Sequence, residues 1–223
     1  MNYYAPIQEI ETYLVDKYKH CKKILEVGPG SIHFPISTHF VDHVEISSEN
    51  RVGYTLNICE NKLPFEDKEF DFVYCRHVLE DIHNPDFVFN EIKRVSKAGY
   101  IETPSPLVEV TKGVDVSGNP YRGYLHHRYI IWNSNDNVLK MIPKFPILEH
   151  AVVTDEQNIE KLKKDHLAWN SYFLWDDSEL IKHKMYYYAI DYDLRSEYGN
   201  MLMKAIDESQ TNTEWMRKLI NIA

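Results

Sequence analysis

Two glycines flank a proline directly after a short apolar run, a pattern that could bring a ligand close to the backbone. The run ILEV at 24–27 predicts a buried parallel strand, and Gly28 and Gly30 permit a turn that side chains would hinder. Ligands of open α/β sheets bind beyond the carboxyl ends of the strands. The pattern therefore predicts a nucleotide-like cofactor at Gly28, Pro29 and Gly30, although an ordinary strand-to-loop turn has the same signature.

Acidic side chains near the end of the next apolar run could bind a ribose. FVDHVEI at 40–46 predicts a second strand that carries Asp42 and Glu45. A carboxylate can accept hydrogen bonds from both ribose hydroxyls. Glu45 has the better strand-tip context, whereas Asp42 suits a strand that ends early. Both positions stay open, and a solvated surface carboxylate is an alternative for each.

Polar residues also follow the fourth apolar run, FDFVYC at 70–75. Arg76 and His77 come directly after it, and a histidine there could take a proton from a hydroxyl or amine nucleophile. A packed or solvent-facing histidine is the simpler alternative. Glu80, Asp81 and His83 could form an acid/base set, but the polar start of a helix explains them equally well.

A second cluster, His126, His127 and Arg128, stands beside Tyr124 and invites a metal-site or anion-site interpretation. Adjacent residues of a strand point to opposite faces, so two such histidines would be poor joint ligands. We therefore expect no metal site, one histidine that lines the pocket and one that is exposed.

Alternating strand and helix patterns must position these residues. The patterns predict an amphipathic helix ending near His20, strands at 24–27, 40–46, 52–58, 70–75 and 100–103, and a helix over 84–97 that Ala98-Gly99 ends. SIHFPISTH at 31–39 is too short and too rich in β-branched residues and proline for a full crossover helix, so an irregular first crossover is expected. The alternation predicts a parallel, helix-covered sheet.

Beyond Pro106 the patterns predict an added hairpin and a C-terminal part. RYIIW and VLKMIP predict two strands around NSNDN that would lie over the carboxyl edge of the sheet. A helical start to 156–182, a strand at 184–193 and a helix at 195–209 follow. We expect one domain over 1–223, with a cofactor-binding core at 20–106, an inserted cap at 107–150, and residues 151–223 completing the sheet.

Composition excludes several classes of function. The 34 acidic and 25 basic residues give a net charge of -9, which argues against a broad nucleic-acid-binding surface. The three cysteines have neither disulfide-framework nor zinc-ligand spacing. No long apolar run or signal-peptide pattern is present, so a cytoplasmic protein without a membrane partner is expected.

Three stretches in order, ILEVGPG, VEIS and LPFEDKEFDFVYCRHVLEDIHNPDFVFNEIKRVSKAGYIETP, resemble the motifs of class I S-adenosylmethionine-dependent methyltransferases of the small-molecule group. The resemblance covers about residues 20 to 106. It implies a Rossmann-like, doubly wound, mostly parallel α/β sheet, S-adenosylmethionine as cofactor, S-adenosylhomocysteine as product, and in-line methyl transfer to a small-molecule or sugar acceptor. The cofactor residues implied are Glu26, Gly28, Pro29, Gly30, Asp42 or Glu45, Asn57, Ile58, Arg76 and His77. His77 is the catalytic candidate, and the substrate candidates are Glu80, Tyr124, His126, His127 and Arg128.

The sequence departs from this family at several positions. Asn57 stands where many members have an adenine-binding Asp, and Asp81 replaces the His of the VLEH motif. A non-catalytic relative used for binding or assembly is therefore an alternative. A nucleotide-dependent oxidoreductase is a third, but its G-x-G-x-x-G pattern lacks the third glycine, and His33 follows instead. A bulky residue at Gly28 is expected to abolish cofactor binding while the fold survives.

Overall fold

A computed structural model describes residues 5–116, 120–150, 154–186 and 194–221. The strands are β1 (Ile24–Val27), β2 (His39–Asp42), β3 (Val52–Thr55), β4 (Phe70–Arg76), β5 (Ser96–Pro104), β6 (Tyr129–Asn133), β7 (Val138–Pro143), β8 (Asn170–Trp175) and β9 (Lys182–Met185). The α-helices are α1 (Gln8–Tyr18), α2 (Pro85–Val95), α3 (Pro106–Val110), α4 (Asp155–Lys164) and α5 (Leu194–Leu219), and short 3₁₀ helices span Pro146–His150 and His166–Trp169.

The main sheet has six strands in the order β3-β2-β1-β4-β5-β8. Strands β1 to β5 are parallel, and β8 pairs antiparallel with β5. The strand order reverses between β1 and β4, and in such sheets this switch point opens the ligand-binding crevice. The predicted Rossmann-like α/β class is confirmed, and the crevice lies where the glycine turn follows β1.

The connections between the parallel strands are mostly irregular. No helix occurs in 28–38, so the prediction of an irregular first crossover is confirmed. Residues 43–51 and 56–69 also contain no helix, and the predicted alternation of strand and helix throughout is therefore wrong. These connections are short or carry proline, which disfavours helix. Helix α2 is the one α-helix among the crossovers that join β1 to β5 in the described chain.

Helix α2 ends earlier than predicted, and β5 begins where the helix was expected to continue. The helix stops at Val95, and Ser96 already pairs with Phe70 of β4. Gly99, predicted as part of the helix end, lies inside β5 against the indole ring of Trp175, where a Cβ atom would clash. This glycine therefore serves the close packing of β8.

The second sheet joins β6, β7 and β9 in that order. The predicted hairpin is confirmed, because β6 and β7 are antiparallel with Tyr129 opposite Pro143. Of the predicted strand at 184–193, residues 184 and 185 belong to β9, which pairs with β7, and 187–193 lie outside the described residues. Strand β8 completes the main sheet instead. The predicted last helix is confirmed as the longer α5.

Buried polar contacts tie the hairpin to both the main sheet and α5. The hydroxyl of Thr103, near the end of β5, donates to the carbonyl of Ile131 at 3.1 Å. Lys140 of β7 forms a buried ion pair with Glu208 of α5 at 2.9 Å, and the indole of Trp132 donates to the same carboxylate at 2.6 Å. These contacts fix the chain leading into β6 above the carboxyl end of the sheet. No helix in the described ranges is both long and apolar enough to cross a membrane.

Candidate functional site

The glycine turn after β1 has two glycines with different tasks. Both have positive φ, +66° at Gly28 and +56° at Gly30. A Cβ atom at Gly28 would lie 2.5 Å from Cγ2 of Val78, whereas a Cβ atom at Gly30 would meet nothing within 4 Å. Gly28 therefore serves the packing against Val78, and a bulky residue there is expected to strain the fold in addition to blocking the cofactor. Gly30 faces the open space that a cofactor needs.

Strand β2 ends at Asp42, earlier than predicted, because pairing with β3 stops at Thr55. The Asp42 carboxylate is buried and accepts from the backbone N–H of Gly30 at 3.3 Å and of Val44 at 3.2 Å. Glu45 lies beyond the strand and is exposed. Asp42 therefore stands at the tip of β2 beside the glycine turn. Of the two carboxylates left open by the sequence, it is the one that required the strand to end early.

The predicted adenine residues follow β3. Asn57 is exposed, and its side-chain oxygen accepts from the backbone N–H of Cys59 at 3.1 Å. Ile58 is half-buried and packs on the core. A carbonyl oxygen has two lone pairs, so Asn57 retains one acceptor position in addition to this local turn.

Glu26 of β1 holds the loop that follows the glycine turn. Its buried carboxylate accepts from the backbone N–H of Phe34 at 2.7 Å and the hydroxyl of Ser37 at 3.0 Å, and it lies 2.9 Å from Nδ1 of His33. Burial raises the pKa of Glu26 despite these donors. His33 stands at the position of the third glycine of a dinucleotide-binding motif. Here its ring contacts the carboxylate that holds this loop.

The carboxylate of Glu102 organises the carboxyl ends of β4 and β5. It is buried and accepts from Nε of Arg76 at 2.8 Å, from the amide of Asn170 at 2.9 Å and from the hydroxyl of Tyr100. Burial alone would raise its pKa, but His77, Arg76 and Tyr100 together lower the pKa of Glu102 to about 2. The carboxylate therefore carries a negative charge beneath the candidate site.

His77 lies between two carboxylates at the end of β4. Nδ1 is 3.2 Å from Glu80 and Nε2 is 3.2 Å from Glu102. Burial lowers the pKa of His77, but the two carboxylates outweigh it and raise the pKa overall. Because each ring nitrogen faces a carboxylate, the ring is placed to donate to Glu80 and Glu102 rather than to accept the proton of a nucleophile. His77 also has φ +52°. This left-handed backbone conformation is uncommon for residues other than glycine, and such residues cluster at functional sites.

The two adjacent histidines lie in a turn before β6. The expectation that a strand separates them is wrong, because β6 begins at Tyr129. His126 is exposed and His127 is buried, yet their rings are only 4.5 Å apart. Nδ1 of His127 lies 2.6 Å from the buried carboxylate of Glu109. Burial lowers the pKa of His127, and Glu109 raises it by more.

The two remaining substrate candidates of this turn have structural contacts. The backbone carbonyl of Tyr124, a buried residue, accepts from Nζ of Lys144 at 2.7 Å. Arg128 is exposed, and its Nε donates to the backbone carbonyl of Asp81 at 3.0 Å.

A cavity of about 260 Å³ joins the glycine turn to the histidine turn. Its lining is Gly28, Pro29, Gly30, Ser31, Ile32, Arg76, His77, Asp81, His126 and His127. The structure thus brings together the predicted glycine turn, the end of β4 and both adjacent histidines. The predicted residues outside the lining are Glu26, Asp42, Glu45, Asn57, Ile58, Glu80, Tyr124 and Arg128.

The prediction of site residues omitted two buried carboxylates. Glu102 stands in the apolar run YIET, and Glu109 lies within the short helix α3. A charged residue inside an otherwise apolar segment is the signal that could have found them, because such a charge is almost never buried without a partner.

Comparisons with known proteins match a part of the first half of the chain. Residues 25–101 match the family model described as a methyltransferase domain. An uncharacterized protein of Methanocaldococcus jannaschii is 37% identical over 81 residues, which are 34% of this chain and 40% of that protein.

Solved structures match a similar share of this chain. An S-adenosylmethionine-dependent methyltransferase from Mesorhizobium loti is 15% identical with a TM-score of 0.34, over 40% of this chain and 50% of that chain. The YcgJ protein of Bacillus subtilis is 20% identical with a TM-score of 0.37, over 44% of this chain and 52% of that chain. The chain thus spans only 40% to 52% of the length of these relatives.

The domain match and the strand order agree with each other. Residues 25–101 match the model of a methyltransferase domain, and the sheet that contains them has the Rossmann-like strand order. The resemblance predicted from the sequence, with S-adenosylmethionine as the cofactor it implies, is supported over these residues.

Proposed function

We propose that the chain is an S-adenosylmethionine-dependent methyltransferase that acts on a small-molecule or sugar acceptor. The observation that carries the proposal is the cavity between Gly30 and His127, at the switch point of a sheet whose residues 25–101 match the methyltransferase domain. At about 260 Å³ it lies just below the usual range for small-molecule sites, which begins at about 300 Å³. A cavity of this size suits a small acceptor better than a macromolecular acceptor.

The cofactor residues follow from their positions at the carboxyl edge. Gly30 leaves room for close approach, Asp42 stands at the tip of β2 for the ribose, and Asn57 with Ile58 follows β3 for the adenine. Arg76 and His77 stand at the reactive end. Glu26 acts indirectly, because its carboxylate holds the loop that supports the turn.

Methyl transfer requires mainly positioning from the protein. When bound, S-adenosylmethionine supplies an electrophilic methyl group and a neutral leaving group. Holding the acceptor in line with that group can contribute about 7 to 11 kcal/mol. Glu102 and Glu80 fix the ring of His77, and the turn at 124–128 closes the opposite wall of the cavity. His77 would then form part of the cavity wall at the reactive end.

Calorimetric titration of the full chain with S-adenosylmethionine and S-adenosylhomocysteine tests the proposal. Asn tolerates positive φ, so Gly30→Asn fills the cofactor space without imposing a new backbone conformation and should abolish binding. Gly199→Asn is the matched control, because Gly199 also has open space around it and lies in α5. Absence of binding to the native chain at millimolar ligand would refute the proposal.

Turnover separates the proposal from the non-catalytic alternative. We expect release of S-adenosylhomocysteine, measured by mass spectrometry, with at least one member of a panel of hydroxylated, carboxylated and amino-sugar acceptors. Cofactor binding without turnover over the whole panel would favour a binding or assembly protein. The oxidoreductase alternative predicts a fluorescence change with reduced nicotinamide cofactor, which we do not expect.

A further inference from the structure

Three side chains with metal-binding atoms converge at the cavity that the glycine turn also lines. Asp81, His126 and His127 each offer one such atom, and these atoms all lie within 4.8 Å of one another. Oδ1 of Asp81 is 3.8 Å from Nε2 of His126 and 3.7 Å from Nε2 of His127. Both distances are too long for a hydrogen bond. Two ligands on one tetrahedral ion with bonds of about 2.1 Å stand about 3.4 Å apart, so a modest contraction would complete the site.

One oxygen of the Asp81 carboxylate lacks a hydrogen-bond donor. Its Oδ1 atom is buried and has no hydrogen-bond partner. A buried carboxylate oxygen without a donor is costly, and such groups normally pair or coordinate a metal. Nε2 of His127 and Nε2 of His126 lie 3.7 and 3.8 Å from this oxygen. A cation placed between the three atoms would satisfy Asp81.

A carboxylate contacts one ring nitrogen of the buried His127, an arrangement that is common among metal-ligating histidines. Nδ1 of His127 lies 2.6 Å from Oε1 of Glu109, whose other oxygen accepts from Nζ of Lys144 at 2.6 Å. The side chains of His127 and Glu109 are both only 1% exposed. In metal sites, a carboxylate that accepts from one ring nitrogen fixes the tautomer and the orientation of the ligating histidine. Glu109 therefore orients Nε2 of His127 towards Asp81.

Backbone contacts fix the histidine turn against Asp81. The N–H groups of Arg128 and Tyr129 both donate to the carbonyl of Glu80, at 2.6 and 3.2 Å. Nε of Arg128 donates to the carbonyl of Asp81 at 3.0 Å. Two segments distant in the sequence are thus held together at the level of the three side chains. The position of the histidine turn relative to Asp81 is therefore fixed without any contact from the exposed ring of His126.

We propose that Asp81, His126 and His127 bind a divalent transition-metal ion at an open site on the cavity. Two imidazoles and one carboxylate suit Zn²⁺ or Fe²⁺ rather than Mg²⁺, which prefers oxygen ligands. Three protein ligands leave at least one coordination position, as in catalytic rather than structural sites. That position faces the same cavity as Gly30 and His77. In the context of the proposed methyl transfer, on which this step rests, the acceptor would be a compound whose hydroxyl or carbonyl oxygen coordinates the ion.

Metal binding by the full chain, stripped with EDTA and dialysed, tests the site without an activity assay. We expect one equivalent of Zn²⁺ by calorimetry and elemental analysis, a rise in the unfolding temperature with Zn²⁺, and a visible absorption band with Co²⁺. His126→Ala and Asp81→Asn should each weaken Zn²⁺ binding at least about tenfold. His20→Ala is the matched control, because His20 is exposed and lies outside the cavity. Circular dichroism establishes that each variant folds.

The outcomes distinguish the ion site from the proposed function. Absence of stoichiometric Zn²⁺ binding, or equal binding by His126→Ala, Asp81→Asn and the native chain, would overturn the metal site. Titration of the same preparations with S-adenosylhomocysteine reports separately on the cofactor. Cofactor binding without metal binding would overturn the metal site alone. Metal binding without cofactor binding would leave the metal site standing and would remove the proposed methyl transfer together with its metal-bound acceptor.

Discussion

Replacement of Glu102 by Gln tests whether one buried carboxylate holds the ends of β4 and β5. The structure lowers the pKa of Glu102 from its ordinary 4.5 to about 2. Such a difference corresponds to about 3 kcal/mol of stability at pH 7. Because the folded-state pKa is depressed, this stability is fully present well above pH 4.5 and is lost as the pH falls towards 2. At pH 3.5 about 2 kcal/mol should remain.

Urea unfolding followed by circular dichroism at pH 7 and at pH 3.5 measures this effect. Glu102→Gln should lower the free energy of unfolding by about 3 kcal/mol at pH 7 and by about 1 kcal/mol less at pH 3.5. Glu69→Gln is the matched control, since Glu69 forms a surface ion pair with Lys23 and its loss should cost about 1 kcal/mol or less. A loss below about 1 kcal/mol for Glu102→Gln at pH 7, or one that does not shrink at pH 3.5, would refute the reasoning.

Two further substitutions test the packing that supports the site. Gly99→Ala places a methyl group against Trp175 and should lower the free energy of unfolding by about 1 to 3 kcal/mol; urea unfolding with an unchanged midpoint would contradict this close packing. Lys140→Met leaves the buried carboxylate of Glu208 without its cation and should cost about 3 to 5 kcal/mol. The double variant with Glu208→Leu should recover much of that loss, and a double variant as unstable as the single one would argue against the ion pair.

The sheet was predictable where periodicity and turn chemistry agree. Strand β1 and the Gly28 and Gly30 turn follow from an apolar run that stops at a glycine. The irregular first crossover followed from length and proline content. Strand β8 was not predicted, because its antiparallel place beside β5 depends on contacts across the chain, such as Trp175 against Gly99.

The candidate site was only partly predictable for a similar reason. Arg76 and His77 could be placed at a strand end from local sequence alone. The pairing of Asp81 with the histidine turn joins segments more than forty residues apart, and the strand argument placed His126 and His127 on opposite faces. Glu102 was omitted because its partners come from β4, β5 and β8, which no local pattern connects.

A crystal structure of the full chain with S-adenosylhomocysteine tests the central claim most directly. We expect the ribose beside Asp42, the remainder of the ligand over Gly30, and the sulfur atom directed towards His77 and the cavity. Electron density for the ligand elsewhere on the chain, or crystals that remain without ligand at saturating concentration, would contradict it.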